Sequence, residues 1–198
     1  MVVTSIVLAG GKSLRLGRNK ALEEISGRCL IERVMERLSL LGNDIIVVTS
    51  SSGQLPDLGV KIVTDSYPGK GNLVGIYSGL KEVSSHHALV VGCDMPLLNV
   101  ALLRHLTELS TGFDVVIPRV GDELEPLHAV YSKNCLAPIE ATLGEGKLRI
   151  SDFFPAVRVR YVESVEIDRF DPRHLSFFNI NSEDDLERAQ ALIGRENP

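Results

Sequence analysis

The chain has 198 residues, 44% of them hydrophobic, and a formal net charge of −5. That is enough for one domain with a proper core, and a mildly acidic total argues against general nucleic-acid binding. The opening apolar run is too short to span a bilayer and lacks a basic n-region, and the well-separated Cys29, Cys93 and Cys135 make no zinc pattern, so a reduced, cytoplasmic chain is the simplest reading.

Residues 2–8 predict a buried parallel strand that breaks at Ala9-Gly10-Gly11. Four cations follow within nine residues: Lys12, Arg15, Arg18 and Lys20. Glycine lets a backbone approach a ligand and turn its N–H groups toward it, and the cations neutralise an anion, so the stretch reads as a phosphate site. The competing reading is a tight turn with solvated side chains. Neither of two common phosphate motifs fits. Arg15 stands where a dinucleotide fingerprint needs its third glycine, and Ile6 where a P-loop needs its first.

Leu30, Ile31, Val34, Leu38 and Leu41 fall at helical spacing, with Gly42 as a stop. Residues 45–49 and 60–63 predict strands, the second ending near Asp65. A glycine-rich turn then leads to a helix carrying Leu73, Ile76, Leu80 and Val83. Residues 88–92 form an apolar central strand that opens at Cys93-Asp94, residues 101–109 a helix, and residues 113–118 a strand. Beyond Gly121 the pattern loosens. Residues 125–131 predict an irregular strand with Pro126 at its start, 136–143 a helix, 157–162 a strand, and 177–181 a short strand or extended segment. Ser182 caps a last helix whose first turn holds Glu183, Asp184 and Asp185, which complement the helix dipole.

This alternation predicts one domain over residues 1–198, a three-layer α/β/α sandwich around a Rossmann-like, mostly parallel sheet. Right-handed crossovers bring the loops after Leu8, Thr49, Val63 and Cys93 to one sheet edge. Asp94 is the first candidate there, because Mg²⁺ takes one or two carboxylates plus substrate phosphates; an Asp before Met95-Pro96 is also an ordinary turn. Asp65 is either a strand-end cap or a ligand group. Gly71, Gly75 and Gly79 recur every four residues, which also suits a closely packed helix. His86, His87, His105 and His174 receive no role, and no Ser-His-Asp or Cys-His arrangement emerges.

Leu8-Ala9-Gly10-Gly11-Lys12-Ser13-x-Arg15-x-Gly17-x-x-Lys20 resembles the signature loop of the sugar-phosphate and cofactor nucleotidyltransferases, of nucleotide-diphospho-sugar transferase fold. Lys20-Ala21-Leu22, Leu30-Ile31-Glu32-Arg33-Val34 and Cys93-Asp94-Met95-Pro96-Leu97 narrow the resemblance to the molybdenum cofactor guanylyltransferases, the MobA family. The tail Phe178-Asn179-Ile180-Asn181 and the segment Glu125-Pro126-Leu127 are similar to that family's Phe-Asn-Ile-Asn and Gln-Pro-Leu stretches. Four departures stand out. Gly71-Asn72-Leu73-Val74-Gly75 replaces the usual Gly-Pro-Leu-Ala-Gly, Thr49-Ser50-Ser51-Ser52 stands where many relatives place an Asn for the nucleotide, Glu183-Asp184 replaces Pro-Glu, and Glu125 replaces Gln.

The resemblance implies Mg²⁺-dependent transfer of GMP from GTP to molybdopterin, with the part up to about residue 118 binding the nucleotide and the remainder facing the second substrate. It implies backbone contacts from Leu8, Ala9, Gly10 and Gly11. Lys12, Arg15 and Lys20 meet phosphate, with Lys20 and Arg15 catalytic. Asp65 binds the nucleotide, Asp94 the metal, and Asn179 and Asn181 border the second substrate. Molybdenum-insertion proteins or apo-molybdoenzymes are the implied partners, with no nucleic acid and no membrane. A sister enzyme using CTP, another sugar- or polyol-phosphate nucleotidyltransferase, and a non-catalytic nucleotide- or pterin-binding adaptor stay open. Lys20 and Asp94 argue against the adaptor, and the missing glycine argues against a Rossmann dehydrogenase.

Overall fold

The structure is a computed structural model that describes residues 3–9, 20–50, 55–65 and 71–196. Among them the strands are β1 (Val3–Leu8), β2 (Glu24–Ile25), β3 (Arg28–Cys29), β4 (Ile45–Thr49), β5 (Lys61–Thr64), β6 (His87–Gly92), β7 (Val115–Val120), β8 (Glu123–Leu124), β9 (His128–Ser132) and β10 (Val159–Glu163). The α-helices are α1 (Leu30–Ser39), α2 (Asn72–Glu82), α3 (Val100–Glu108), α4 (Leu136–Gly144), α5 (Ser164–Ile167) and α6 (Glu183–Glu196).

One sheet runs in the order β10-β7-β9-β6-β1-β4-β5, with β8 on β7. β1 pairs in parallel with both β4 and β6, β4 with β5, and β7 with β10. β9 runs against both its neighbours, β6 and β7. Alternation along each strand divides the core between two faces. Val3 and Val7 meet Ile31, Val34 and Leu38 of α1 and Leu102, Leu103 and Leu106 of α3. Ile6 and Leu8 meet Leu73, Ile76 and Leu80 of α2 and Ile139 of α4. Each such fully buried side chain stabilises the fold by about 1.5–3 kcal/mol. The expected three layers follow from these two faces.

The four-residue glycine spacing is a packing device. A Cβ on Gly79 would lie 2.8 Å from Ile6 Cδ1 and 2.9 Å from Ile6 Cγ2, so α2 lies close on β1. Gly71, at φ 83°, turns the chain into that helix.

Two elements differ from the sequence reading. Strand β9 begins at His128, because the preceding residues form a turn: Pro126 has no N–H to give, and its carbonyl accepts from Tyr131 Oη at 2.7 Å. Of the two forms expected for residues 177–181, the extended one follows a 3₁₀ turn, Leu175–Phe177. The hairpin β2–β3 has no apolar run long enough to announce it, and Arg33 fastens it by donating to the Ile25 carbonyl. Among the described residues no helix is long and apolar enough to cross a membrane.

Candidate active site

The parallel strands β1, β4, β5 and β6 end at one edge. Ala9 N donates to Val48 O at 2.8 Å, Cys93 N to Leu8 O at 3.1 Å, and Asp65 N to Thr49 O at 2.8 Å. The strand ends from which the expected loops leave therefore lie together, while residues 10–19, 51–54 and 66–70 of those loops lie outside the described residues. Because β9 is reversed, its beginning lies at this edge too: His128 registers with Val91, and Gly92 N donates to Leu127 O at 3.1 Å.

Asp94 stands just past β6, with its side chain 20% exposed. A Cβ on Gly92 would come within 2.6 Å of Asp94 Oδ1, so the bare glycine makes room for the carboxylate. Lys20 reaches the same point from the 3₁₀ turn Lys20–Leu22. Its Nζ donates to Asp94 Oδ2 at 2.7 Å and to Asn181 Oδ1 at 2.7 Å.

The tail is seated from several directions. Ile180 N donates to the Asp94 carbonyl at 3.0 Å. Ser182 Oγ accepts from Asp185 N, while the Asp185 carboxylate accepts from the Asn181 and Ser182 N–H groups, a reciprocal cap at the start of α6. The Ser182 hydroxyl, followed by the Asn181 N–H, holds the Asp185 carboxyl below its ordinary value. Below the cap, Ile25, Leu30, Ile180 and Ala189 form a small apolar cluster that joins the hairpin β2–β3 to α6. Lys20 and Asn181 thus sit on elements that pack together.

Lys20, Asp94 and Asn181 are the sequence candidates that the fold gathers. Asp65 lies on the other flank, beyond β1 and β4, where Ser78 of α2 donates to its Oδ1 at 3.2 Å. Leu8 and Ala9 lie at the end of β1, at the same edge. Asn179 does not join the cluster; its amide donates to the Phe177 carbonyl at 3.1 Å, a local turn bond that composition could not reveal. Gly10, Gly11, Lys12 and Arg15 lie outside the described residues.

Sequence reasoning missed the polar knot beneath the tail. Asn99 N donates to Ser176 Oγ at 2.8 Å, Ser176 N donates to Asp171 at 2.7 Å, and His128 Nε2 lies 3.3 Å from Ser176 Oγ. His128 is buried on the strand that starts at this edge, and burial pushes its pKa down to about 3, so it stays neutral. His105 and His174, given no partner by spacing, meet Glu166 and Asp168.

Burial, then the Asp94 charge, push the Cys93 thiol up to about 12, so it offers no thiolate nucleophile. Among the described residues no three His, Cys, Asp or Glu side chains gather as a metal nest. The hard oxygens of Asp94 and Asn181, both reached by one ammonium group, fit a cation such as Mg²⁺ that draws its remaining ligands from phosphate and water.

Residues 5–155 match the family described as the MobA-like NTP transferase domain. The chain belongs to this family. It is a nucleotidyltransferase of the MobA-like kind, as the resemblance implied. A protein named probable molybdenum cofactor guanylyltransferase from Pelotomaculum thermopropionicum is 38% identical over 96% of this chain and 92% of its own length. A molybdenum cofactor guanylyltransferase from Desulfosudis oleivorans is 35% identical over 96% of both chains. Among solved structures, molybdopterin-guanine dinucleotide biosynthesis protein A from Archaeoglobus fulgidus superposes with a TM-score of 0.85 at 29% identity, covering 98% of this chain and all of that one. A nucleotidyl transferase from Methanothermobacter thermautotroptrophicus, 20% identical with a TM-score of 0.78 over 99% of each chain, shares the fold. The Rossmann-like layout is thus that of MobA-like nucleotidyltransferases.

Proposed function

We propose that this MobA-like chain transfers GMP from GTP to the phosphate of molybdopterin, forming molybdopterin guanine dinucleotide and pyrophosphate. The observation that carries the reading is the meeting of Lys20, Asp94 and Asn181 at the edge where β1, β4, β5 and β6 end. The names of the relatives supply the substrates.

In this reading the nucleotide lies over β1, β4 and β5, near Leu8, Ala9 and Asp65, with Gly10, Gly11, Lys12 and Arg15 supplying the phosphate contacts their sequence implies. The second substrate lies over β6 and β9, and Asn179 borders it through its backbone. A phosphate oxygen of the second substrate attacks the α-phosphorus of GTP in line. The bond from that phosphorus to the bridging oxygen breaks, and pyrophosphate leaves with the electron pair. Lys20 neutralises charge on the α-phosphate, and positioning carries most of the remaining acceleration. Asp94 and Asn181 would hold Mg²⁺, which supplies Lewis-acid charge neutralisation on the phosphates. No covalent enzyme intermediate is needed, in keeping with the protonated Cys93 thiol.

Calorimetric binding of GTP, CTP, UTP and ATP with Mg²⁺, followed by pyrophosphate release on adding molybdopterin, tests this. Preference for GTP with release supports it. Preference for CTP moves the chain to cytidylyl transfer, and binding without release overturns the enzymatic reading.

A further inference from the structure

One ammonium group already satisfies both oxygens assigned to Mg²⁺ in the proposed function. Lys20 Nζ donates to Asp94 Oδ2 and to Asn181 Oδ1, each at 2.7 Å. The Lys20 and Asp94 side chains are only 14% and 20% exposed, and water and salt screen such a pair poorly. A second cation brought to the same oxygens therefore meets the Lys20 charge at close range, where like charges repel strongly.

The two oxygens do not depend on Lys20 for their arrangement. Ile180 N donates to the Asp94 carbonyl at 3.0 Å, a backbone bond that ties the tail to the end of β6. The next residue, Asn181, donates its N–H to the Asp185 carboxylate at 3.0 Å. Lys20 arrives from a separate element, the 3₁₀ turn Lys20–Leu22, which the buried Ala21 anchors and in which Glu23 N donates to Lys20 O at 3.2 Å. The flexible four-carbon stem of Lys20 lets its charge leave while these backbones stay in place.

We propose that Lys20 is a cation lock. Its ammonium group keeps free divalent ions off the Asp94–Asn181 pair and yields the pair when the phosphates of a nucleotide draw the ammonium away. The inference rests on the proposed function, which gives Lys20 to the phosphates and Asp94 and Asn181 to Mg²⁺. A triphosphate carries more negative charge than one carboxylate beside a neutral amide, so Lys20 exchanges one partner for a stronger one. The lock ties cation binding to nucleotide binding. It also has a signature that positioning alone lacks: removing the Lys20 charge tightens cation binding while it lowers turnover.

The test is equilibrium binding of Mn²⁺ to the chain without nucleotide, followed by electron paramagnetic resonance, since Mn²⁺ takes the same oxygen ligands as Mg²⁺. Wild type, Lys20→Met, Lys20→Arg and the double variant Lys20→Met with Asp94→Asn are compared, with thermal unfolding as the folding control. Lys20→Ala repeats the test without the stem. Lys20→Met and Lys20→Ala are expected to bind Mn²⁺ roughly tenfold or more tightly than wild type, the scale on which one neighbouring charge shifts an ionisation equilibrium. Lys20→Arg keeps the charge and stays close to wild type, and Asp94→Asn removes the gain. Equal Mn²⁺ affinity in wild type and the neutral variants overturns the lock, as does an equal gain in Lys20→Arg. A gain that survives Asp94→Asn places the ion elsewhere and overturns it too. The proposed function fails separately, when the wild type binds no GTP in the presence of Mn²⁺ or releases no pyrophosphate on adding molybdopterin.

Discussion

Lys20 and Asn181 lie 161 residues apart in the chain and meet at 2.7 Å, with Asp94 sharing the same ammonium group. The contact joins the start of the sheet, its centre and the tail beyond it. It also separates chemistry from stability, because the three side chains share one small polar point and add little to the apolar core.

Lys20→Ala and Asp94→Ala are expected to lower kcat by about 10²–10³, the scale of removing one charge-stabilising group from a preorganised site. Pyrophosphate release measures it. Thermal unfolding should shift by only a few degrees in the Lys20 variant. Turnover equal to the parent in either variant would sink the site assignment.

Gly79→Ala and Gly75→Ala should part company. The Gly79 Cβ would strike Ile6, fully buried in β1, at 2.8 and 2.9 Å, and overpacking of this kind costs about 1–3 kcal/mol. At Gly75 the nearest atom is Leu8 Cδ2 at 3.3 Å, and the helix-propensity gain of about 1 kcal/mol offsets the squeeze. Urea unfolding of both variants reads the difference.

His128 predicts an acid weakness. Its folded pKa, near 3, lies below its ordinary 6.5, so the unfolded chain binds more protons between those values. Stability therefore falls as pH drops through that window, by on the order of 2 kcal/mol at pH 5. Glu125 works the other way: its pKa is raised from 4.5 to about 7, so its contribution is present below 4.5 and lost as pH rises through 7. Denaturant midpoints from pH 7.5 to 5 should show His128→Gln losing less than the wild type as pH falls. Parallel curves would show that His128 is not buried in the neutral form.

Ile25→Ala and Ile180→Ala test whether the cluster under the tail sets the site. Each removes a side chain that is at most 1% exposed, which typically costs about 2–5 kcal/mol. Well below the unfolding temperature, both are expected to lower turnover, although neither residue is among the candidates for substrate contact. Full turnover with lowered stability would show that Lys20 and Asn181 hold their contact without the cluster.

Much of this was legible in the residues. Short apolar runs gave the strands from 45–49 and 88–92 almost to the residue, and carboxylates just past strands marked Asp65 and Asp94. The hairpin β2–β3 was not legible, because two-residue strands carry no period. Nor was the reversal of β9, since alternation is the same in either direction. Asn179 looked equivalent to Asn181 in sequence, and only the turn that folds its amide onto Phe177 O separates them. The His128–Ser176–Asn99 knot joins residues from three distant stretches, which no local pattern reports.

The place of Asn181 in the chain has a consequence for biosynthesis. Synthesis proceeds from the N-terminus, so the ten strands among the described residues leave the ribosome before the tail that completes the contact with Lys20. A nascent chain with its sheet already formed has Lys20 and Asp94 in place and still lacks the third member. If the proposed function holds, a translation product that ends before Asn181 carries Lys20 and Asp94 without the side chain that meets them from the tail.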